Sequence, residues 1–333
     1  KRLQDSLEPP FLIEGIPIAM EACIGVALLP EHAADADALL QRADVAMYYA
    51  KQVAADYAVY AAHLDPHSRE RLRLLAELRD AIQLDQLVLH YQPKVEIKSG
   101  RIGGVEALMR WQHPQRGLLY PDIFIPTAEN TGLMNPLTQW LLRDALHFQR
   151  TADTVPVRLR VSVNLSARSL HDAHLPHLVE NALVSSGVSP RQLVLEITES
   201  AIIHDPEGAR AVLTDLSRMG VWISIDDFGT GYTSLANIRR LPVNEIKIDK
   251  SFVLGMLRDR SDEMIVRSVI ELGHNLGLHV VAEGVETQDV YDALAAFGCD
   301  EAQGDHIQRP VPGDRLLEWM RTTPIWKLDP GGF

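Results

Sequence analysis

The chain lacks paired cysteines, an excess of positive charge and a long uninterrupted hydrophobic run. Its 333 residues include two cysteines, Cys23 and Cys299, without CxxC spacing, which indicates a reducing compartment and argues against a thiolate metal site. The 45 acidic residues against 32 basic ones give a net charge of −13, which argues against binding to DNA or RNA polymers through a basic surface. The apolar stretch 11–30 is interrupted by Glu14 and Glu21, so we expect no membrane segment or signal peptide.

The overall composition is that of an ordinary globular protein. Hydrophobic residues make up 46% of the chain and charged residues 23%, a balance that excludes a largely disordered chain. At roughly 150 residues per domain, the length predicts one large domain with a small companion, or two domains. The reducing pattern and the missing membrane segment together predict a cytoplasmic location, although upstream segments of a longer protein could anchor it to a membrane.

Residues 16–62 predict a small unit with an apolar run, a helix over 37–51 and a strand near 57–61. The helix carries apolar residues at three- and four-residue steps, which predicts one buried face: Leu39, Leu40, Ala43, Ala46, Met47 and Ala50. A charged helix over 68–84 follows, with Leu72, Leu75, Leu78 and Ile82 as its predicted apolar stripe. Three elements form a small core at best, so the unit is expected either to pack against a neighbouring domain or to be the end of a larger domain. The first residue, Lys1, is consistent with an excised fragment.

From residue 85 the chain alternates between short β-rich runs and amphipathic helical stretches. The eight predicted strands are 87–97, 102–111, 157–166, 193–198, 221–228, 245–249, 279–285 and 299–303. The predicted helices between them include 136–149, 209–219, 263–276 and 288–297. This alternation favours a (β/α)₈ barrel, with an open doubly wound sheet as the alternative. Only residues 98–101 separate the first two runs, too few for a parallel crossover, so the first strand is predicted to be antiparallel.

Polar residues follow apolar stretches at seven of the eight strand ends. They are Glu106, Asn164, Glu196, Asp226 with Asp227, Lys247 with Asp249, Glu283, and Gln303. Because βα loops converge at the carboxyl ends of barrel strands, these side chains are expected to share one pocket. Two like charges ~4 Å apart repel by roughly 4 kcal/mol at an effective dielectric near 20, so the carboxylates predict hard divalent cations, Mg²⁺ or Mn²⁺. Two such cations in one pocket indicate phosphodiester hydrolysis.

Eight motifs in order carry a family resemblance. They are Tyr91-Gln92-Pro93, Glu106-Ala107-Leu108, Asn164-Leu165-Ser166, Glu196-Ile197-Thr198-Glu199, Ile225-Asp226-Asp227-Phe228-Gly229-Thr230-Gly231, Lys247-Ile248-Asp249-Lys250, Ala282-Glu283-Gly284-Val285-Glu286-Thr287 and Gln303-Gly304. Over about residues 70–325 the chain resembles EAL-domain cyclic-di-GMP phosphodiesterases. The resemblance implies a barrel with an antiparallel first strand, hydrolysis of cyclic di-GMP to linear pGpG, and dependence on two Mg²⁺ or Mn²⁺ ions.

The resemblance also implies roles for individual residues. It places Glu106, Asn164, Glu196 and Asp226 on one cation, and Asp226, Asp227 and Asp249 on the second or on its waters. It makes Glu283 a candidate general base, with Lys247 orienting the attacking water and Gln303 supporting that water. Glu199 resembles a loop anchor for residues 227–234. Substrate contacts are implied for Gln92, Leu108, Arg110, Asn164, Asp249 and Glu283, with Arg110 as a phosphate donor.

Two details depart from simple motif matches. Gln303-Gly304 is usually followed in this family by aromatic or aliphatic residues, whereas this chain has Asp305-His306. His306 is therefore either a substrate contact or a solvated loop residue. The glycines of Gly229-Thr230-Gly231 do not form a dinucleotide-binding fingerprint, because Ser234 stands where the third glycine is required.

The amino-terminal unit carries a second resemblance. Ile24-Gly25-Val26-Ala27, Ala43-Asp44-Val45-Ala46-Met47-Tyr48 and Ala50-Lys51 resemble the closing third of a GGDEF diguanylate cyclase domain. The resemblances together divide the chain into a GGDEF remnant (1–64), a linker helix (65–84), the EAL barrel (85–325) and a tail (326–333). Because the GGDEF loop is absent from these residues, we expect no diguanylate cyclase activity, and we expect a sensor domain upstream in the full-length protein.

The EAL resemblance further implies a homodimer formed through the barrel. The segment after Asp227 is the expected interface, with Leu235, Ile238 and Leu241 either at the contact or in the core of one chain. Two functional alternatives stay open: a catalytically silent cyclic-di-GMP receptor and a metal-dependent barrel hydrolase that acts on another phosphodiester.

Overall fold

The computed structural model describes residues 11–13, 16–18, 22–52, 55–61, 69–129, 131–152, 159–203, 205–230, 238–323 and 327–328. The chain divides into two compact units, residues 1–80 and 81–333. The boundary lies within one helix, Arg69–Gln83.

The described part of the first unit contains two strand pairs and a helix that connects one of them. Strands β1 (Phe11–Ile13) and β2 (Ile16–Ile18) pair antiparallel, and β3 (Ile24–Val26) pairs parallel with β4 (Tyr57–Val59). Helix α1 (Ala36–Gln52) crosses between β3 and β4, as a parallel pair requires. A Cβ on Gly25 would lie 1.9 Å from the carbonyl oxygen of Ala43, so a glycine is needed where α1 meets β3.

The predicted faces of the first two helices are partly wrong. Leu40 of α1 is 70% exposed, whereas Ala46 and Ala50 are fully buried, so the buried face of α1 is narrower than its apolar pattern. In α2 (Arg69–Gln83), Leu72 is exposed and the buried stripe includes Leu74 instead. Leucines lie on more than one side of α2, so the hydrophobic pattern alone does not determine which side is buried.

The second unit is a closed eight-stranded barrel, as predicted, and the open doubly wound sheet is excluded. Its strands are β5 (Leu87–Glu96), β6 (Arg101–His113), β8 (Arg160–Leu165), β9 (Leu193–Thr198), β10 (Trp222–Phe228), β11 (Glu245–Ile248), β12 (His279–Ala282) and β13 (Glu301–Gln303). Strands β6 and β8–β13 pair parallel in chain order. Strand β5 pairs antiparallel with both β6 and β13 and closes the barrel, which confirms the antiparallel first strand.

Short strands extend the edges of this barrel. Strand β7 (Gly117–Leu119) pairs with β6, β14 (Val311–Pro312) pairs with β5, and β15 (Lys327–Leu328) pairs with β6. The predicted third strand began at residue 157, but residues 157 and 158 lie outside the described part of the chain, and β8 starts at Arg160.

Helices alternate with the barrel strands. They are α3 (Pro121–Glu129), α4 (Met134–Ala152), α5 (Ala167–Leu170), α6 (Leu175–Ser186), α7 (Glu199–Ile203), α8 (Pro206–Arg218), α9 (Lys250–Gly255), α10 (Arg260–Asn275), α11 (Gln288–Phe297) and α12 (Gly313–Thr322). Local sequence sets their ends. Asp205 accepts a hydrogen bond from the Gly208 amide at 3.0 Å and starts α8, and Gly298 ends α11 in a left-handed conformation.

The structure bears on two expectations, one about membrane segments and one about the dimer contacts. Among the described residues, the longest helices are too short or too polar to cross a bilayer. Of the expected dimer contacts, Ile238 is buried within the chain, Leu241 is partly exposed, and Leu235 lies outside the described residues.

Candidate active site

Lys247 lies at the centre of a carboxylate cluster in the barrel. Its side chain is fully buried at the end of β11. Its ammonium nitrogen contacts four carboxylates, at 2.6 Å from Glu283, 2.8 Å from Glu196, 3.2 Å from Asp226 and 3.4 Å from Glu106. Burial favours neutral Lys247, but these four negative charges outweigh it and raise the pKa of the ammonium. Lys247 is therefore a fixed positive charge that holds four strand ends together.

Glu106 is held by two amides. Asn164 Nδ2 donates to Glu106 Oε1 at 2.6 Å, and Gln303 Nε2 donates to Glu106 Oε2 at 2.6 Å. Gln303 Nε2 also lies 3.0 Å from Gln92 Oε1, and Gln92 Nε2 donates to the carbonyl oxygen of Gln308 at 3.1 Å. This amide chain fixes Glu106 from both sides and ties it to the loop after β13.

Glu196 is bound by two lysines, one on each oxygen. Lys247 contacts Oε2 at 2.8 Å, and Lys94 of β5 donates to Oε1 at 2.6 Å. Burial alone would raise the pKa of Glu196, but the two ammonium groups outweigh it and lower this pKa to about 2. By contrast, burial and the negative charge of Glu196 raise the pKa of Glu106. The two neighbouring glutamates thus have pKa values shifted in opposite directions.

Asp226, Asp227 and Glu283 form the outer part of the cluster. Each offers one carboxylate oxygen within 4.8 Å of the others. Burial, followed by the charges of Asp226 and Asp249, raises the pKa of Asp227 to about 6. Burial also raises the pKa of Glu283 to about 8, against the opposing effect of Lys247. Negative charge at this point is therefore only partly compensated by the protein itself.

The turn after β10 directs Asp227 into this group. Asp227 has φ +53°, and its amide donates to Asp226 Oδ1 at 2.9 Å. Gly229 follows with φ +100°, and its amide donates to Glu199 Oε2 at 3.2 Å, the contact expected of a loop anchor. Residues 231–237 lie outside the described part of the chain, so this contact describes the start of the loop alone.

Replacement of Gly229 by alanine is expected to destabilise the barrel by about 1–3 kcal/mol, since its φ is rarely adopted by L-residues. A Cβ at Gly229 would also lie 3.1 Å from Phe252 Cε2. Gly277→Ala is the matched control, because Gly277 has φ +74° with open space around it. Urea unfolding should give the larger loss for Gly229→Ala. Equal losses would mean that the Phe252 contact contributes nothing.

Asp249 follows β11 and has two local roles. Its Oδ1 accepts hydrogen bonds from the amide and the hydroxyl of Ser251, which starts α9. Its side chain also bonds to Asp227, where it contributes to the raised pKa of that residue. The structure therefore brings Asp249 to the outer part of the cluster, beside Asp227. One of its oxygens is bonded to Ser251 at the start of α9.

The remaining predicted substrate residues lie on β6. Leu108 and Arg110 are two and four residues beyond Glu106, and so on the same face of the strand. Leu108 is partly exposed. Arg110 donates to the carbonyl oxygen of Met109 at 2.8 Å, and its guanidinium carbon lies 4.7 Å from the ring centre of Tyr120. Arg110 is buried, at 7% exposure, and these contacts leave other guanidinium N–H donors for an anionic group.

His306, at the departure from the family pattern, packs against α11. Its Nε2 lies 3.1 Å from Gln288 Oε1, and its ring centre lies 6.1 Å from that of Tyr291. Neighbouring Asp305 pairs with Arg309 at 2.9 Å. These contacts are solvent-exposed, with side-chain exposures of 43% for Asp305 and 80% for Arg309, so they are compatible with a solvated loop.

Sequence reasoning missed a polar layer directly beneath the cluster. Lys94 is 2% exposed and donates to Ser162 Oγ at 2.9 Å, and its nitrogen lies 3.5 Å from Glu245 Oε1. A usable signal was present, because Lys94, Ser162 and Glu245 each lie two residues from a predicted site residue, and hence on the same strand face.

A second group of possible ligands lies at the opposite end of the barrel. Glu245, His279 and Glu301 begin three successive strands, and their ligand atoms lie within 4.8 Å of one another. Burial favours a neutral His279, but Glu301, 3.2 Å away, outweighs it and raises the pKa of the imidazole. When the imidazole is protonated, it forms an ion pair with Glu301, so the proximity of these three side chains does not require a cation.

The carboxylate cluster around Lys247 fits hard divalent cations. The side chains that converge there offer carboxylate and amide oxygens, the donors preferred by Mg²⁺ and Mn²⁺. The raised pKa values of Asp227 and Glu283 identify where additional positive charge would be stabilising. Two surface cavities, of about 570 and 660 Å³, are lined by other residues.

Comparisons with known proteins agree with this geometry. The sequence model of the EAL domain matches residues 75–310. Bifunctional diguanylate cyclase/cyclic di-GMP phosphodiesterase MucR of Pseudomonas aeruginosa is 41% identical over 319 residues, which cover 95% of this chain and 47% of MucR. Cyclic di-GMP phosphodiesterase PdeR of Escherichia coli is 36% identical over 96% of this chain and 48% of PdeR.

A solved structure shows the same fold. The PaMucR phosphodiesterase in complex with c-di-GMP superimposes with a TM-score of 0.71 at 45% identity, covering 73% of this chain and 99% of that one. The chain spans about half the length of the curated relatives MucR and PdeR.

Proposed function

Because this chain belongs to the EAL domain family, we propose that it hydrolyses cyclic di-GMP to linear pGpG with the help of divalent cations. The observation that carries this proposal is the convergence of Glu106, Glu196, Asp226 and Glu283 on Lys247. A set of buried carboxylates around one lysine is costly for folding and is suited to binding cations and a phosphodiester.

The cations would be two Mg²⁺ or Mn²⁺ ions. The proposed ligands are Glu106, Asn164, Glu196 and Asp226 for one ion, and Asp226, Asp227 and Asp249 for the other. Bound there, divalent cations supply positive charge against the phosphodiester and make water a stronger acid. The crowding of Asp226, Asp227 and Glu283 within 4.8 Å supports this assignment.

Lys247, Glu283 and Gln303 would serve the attacking water. Glu283, whose pKa is raised to about 8, is suited to accept a proton near neutral pH. The ammonium of Lys247 would offset negative charge that develops on the phosphate as the bond to the leaving 3′ oxygen breaks. Gln303 Oε1 is buried without a hydrogen-bond partner among the described residues, so it is available to accept a hydrogen bond from that water.

Substrate contacts would come from β6 and from the carboxylate cluster. Arg110 offers guanidinium donors to a phosphate, and Leu108 offers an apolar surface to a base. Asn164, Asp249 and Glu283 would lie beside the scissile phosphate. Gln92 is already bonded at both ends of its amide, to Gln303 and to the Gln308 carbonyl, so a contact from Gln92 to the dinucleotide would require one of those bonds to open.

An assay of turnover and binding on one sample separates this proposal from a silent receptor. With Mg²⁺ or Mn²⁺, we expect pGpG to accumulate from cyclic di-GMP, as resolved by liquid chromatography. A receptor would bind cyclic di-GMP without product. A panel of other phosphodiesters tests the remaining alternative, since a general hydrolase would cleave them at comparable rates.

Cation affinity is expected to rise with pH between about 5 and 7. Ligand carboxylates must be deprotonated, and the pKa of Asp227 is raised to about 6, so protons compete with the cation below that value. The same raised pKa makes the cation-free protein gain stability as pH falls through 6. Calorimetric titration with Mn²⁺ at several pH values should show proton release near pH 6. Asp227→Asn should flatten this dependence, and an equally steep dependence in that variant would contradict the assignment.

The surroundings of the barrel complete the proposal. We infer that residues 1–64 are a GGDEF remnant, 65–84 a linker helix, 85–325 the EAL barrel and 326–333 a tail. These 333 residues contain no GGDEF loop, so we expect no cyclic di-GMP to form from GTP; product formation with GTP would overturn this inference. A homodimer through the barrel, a cytoplasmic location and an upstream sensor in the full-length protein belong to the same proposal.

A further inference from the structure

Lys94 is a buried cation for which the proposed function has no role. It lies on the antiparallel strand β5, is 2% exposed, and approaches the cluster from below. We propose that Lys94 is a positioning residue that fixes Glu196 as a cation ligand through one oxygen, an inference that rests on the proposed function.

The contacts of Lys94 divide between two layers of the barrel. Its ammonium lies 2.6 Å from Glu196 Oε1 in the upper layer. In the lower layer it lies 2.9 Å from Ser162 Oγ and 3.5 Å from Glu245 Oε1. With partners on both sides, Lys94 has little freedom to leave Glu196.

Lys247 binds the same carboxylate in a different way. It contacts Glu196 Oε2 at 2.8 Å, but it also contacts Asp226 and Glu283 at 3.2 and 2.6 Å. Lys247 can therefore release Glu196 Oε2 and still contact Asp226 and Glu283, whereas Lys94 stays bonded to Oε1. Glu196 then presents Oε2 alone to an incoming cation.

Two opposing effects make this inference testable. Through-space repulsion by Lys94 would weaken cation binding, so its removal would tighten binding if repulsion dominated. If positioning dominated, removal of Lys94 would instead weaken cation binding. Without Lys94, Glu196 Oε1 loses its partner and Lys247 becomes the remaining cation on that carboxylate, in competition with the metal. Outer partners of ligating carboxylates typically contribute about 10–100-fold to metal affinity.

The test is the affinity for Mn²⁺, measured without substrate by electron paramagnetic resonance of free Mn²⁺. Lys94→Met should raise the Kd for Mn²⁺ by about 10–100-fold. An unchanged or lower Kd overturns the inference. Glu245→Gln is the matched control, because it alters the charge beside Lys94 and keeps the contact with Glu196. Its Kd should stay within about threefold of the wild type. A rise as large as that of Lys94→Met would overturn the inference, because the contact between Lys94 and Glu196 is kept in the Glu245→Gln variant.

A double-mutant cycle separates positioning from a general structural role. In the Glu196→Gln background, Lys94→Met should cause no further loss of Mn²⁺ affinity, and an additive loss overturns the inference. If Lys94→Met alone does not fold, Ser162→Ala replaces it. That variant removes one anchor of Lys94 and should raise the Kd about two- to fivefold, while an unchanged Kd again counts against positioning.

Turnover distinguishes failure of this inference from failure of the proposed function. In Lys94→Met, kcat should recover at high Mn²⁺ concentration while KM for cyclic di-GMP stays near that of the wild type. If the wild type binds Mn²⁺ without hydrolysing cyclic di-GMP and Lys94→Met still binds Mn²⁺ more weakly, the proposed function fails and the role of Lys94 stands. A wild type that binds no Mn²⁺ overturns both.

Discussion

Lys247→Met is expected to lose about 3–5 kcal/mol of stability and about 10²–10³-fold in turnover. The fully buried ammonium of Lys247 contacts four carboxylates within 3.4 Å, and its removal leaves their charges without their shared counter-ion. Urea unfolding of the cation-free protein measures the first loss. Added Mn²⁺ should restore part of it, by about 2.7 kcal/mol at 100 times its Kd, because the metal neutralises the same carboxylates.

Lys250→Met is the matched control for this variant. Lys250 lies three residues away at the start of α9 and is exposed, so its replacement should leave stability within about 0.5 kcal/mol of the wild type. Equal stability of the two variants would mean that Lys247 is not the counter-ion of the cluster.

Glu106→Gln is expected to abolish detectable turnover. As a proposed ligand, Glu106 should contribute at least about 100-fold to cation affinity, the upper end for residues one step further from a metal. The substitution removes a buried negative charge that burial and Glu196 disfavour, but it also turns an amide NH₂ toward the donors Asn164 Nδ2 or Gln303 Nε2. Turnover and Mn²⁺ affinity are therefore the measurements that test this variant.

The control for Glu106→Gln is the exposed residue Glu318 of α12. Glu318→Gln should keep the turnover, the Mn²⁺ affinity and the Tm of the wild type. A Glu106→Gln variant that retains turnover, or that binds Mn²⁺ as tightly as Glu318→Gln, would contradict the role proposed for Glu106.

The sequence predicts the barrel and the upper layer of its site well, for identifiable reasons. Each strand is a short apolar run that ends in polar residues, and the barrel brings those ends together, which is why the amino-acid pattern alone identifies Glu106, Glu196 and Lys247 as neighbours. The short 98–101 connection likewise predicts the antiparallel pairing of β5 and β6 that the structure shows.

For the lower layer, the sequence indicates the strand face on which Lys94, Ser162 and Glu245 lie, but not their contacts. A lysine inside a strand, such as Lys94, gives no sign of which carboxylate it meets, because its partners Glu196 and Glu245 come from strands about 100 and 150 residues further along the chain. The predicted buried faces of α1 and α2 were partly wrong for a related reason. Leu40 and Leu72 fit an apolar stripe, but tertiary packing decides which side of a leucine-rich helix is buried, and both are exposed.

The most direct test of the proposed function is hydrolysis of cyclic di-GMP in ¹⁸O-labelled water, with mass spectrometry of the product. The cluster around Lys247 predicts pGpG that carries one ¹⁸O atom on its terminal phosphate, formed only when Mg²⁺ or Mn²⁺ is present. Cyclic di-GMP that is bound but recovered intact and unlabelled with both cations would contradict the proposal and identify the barrel as a receptor.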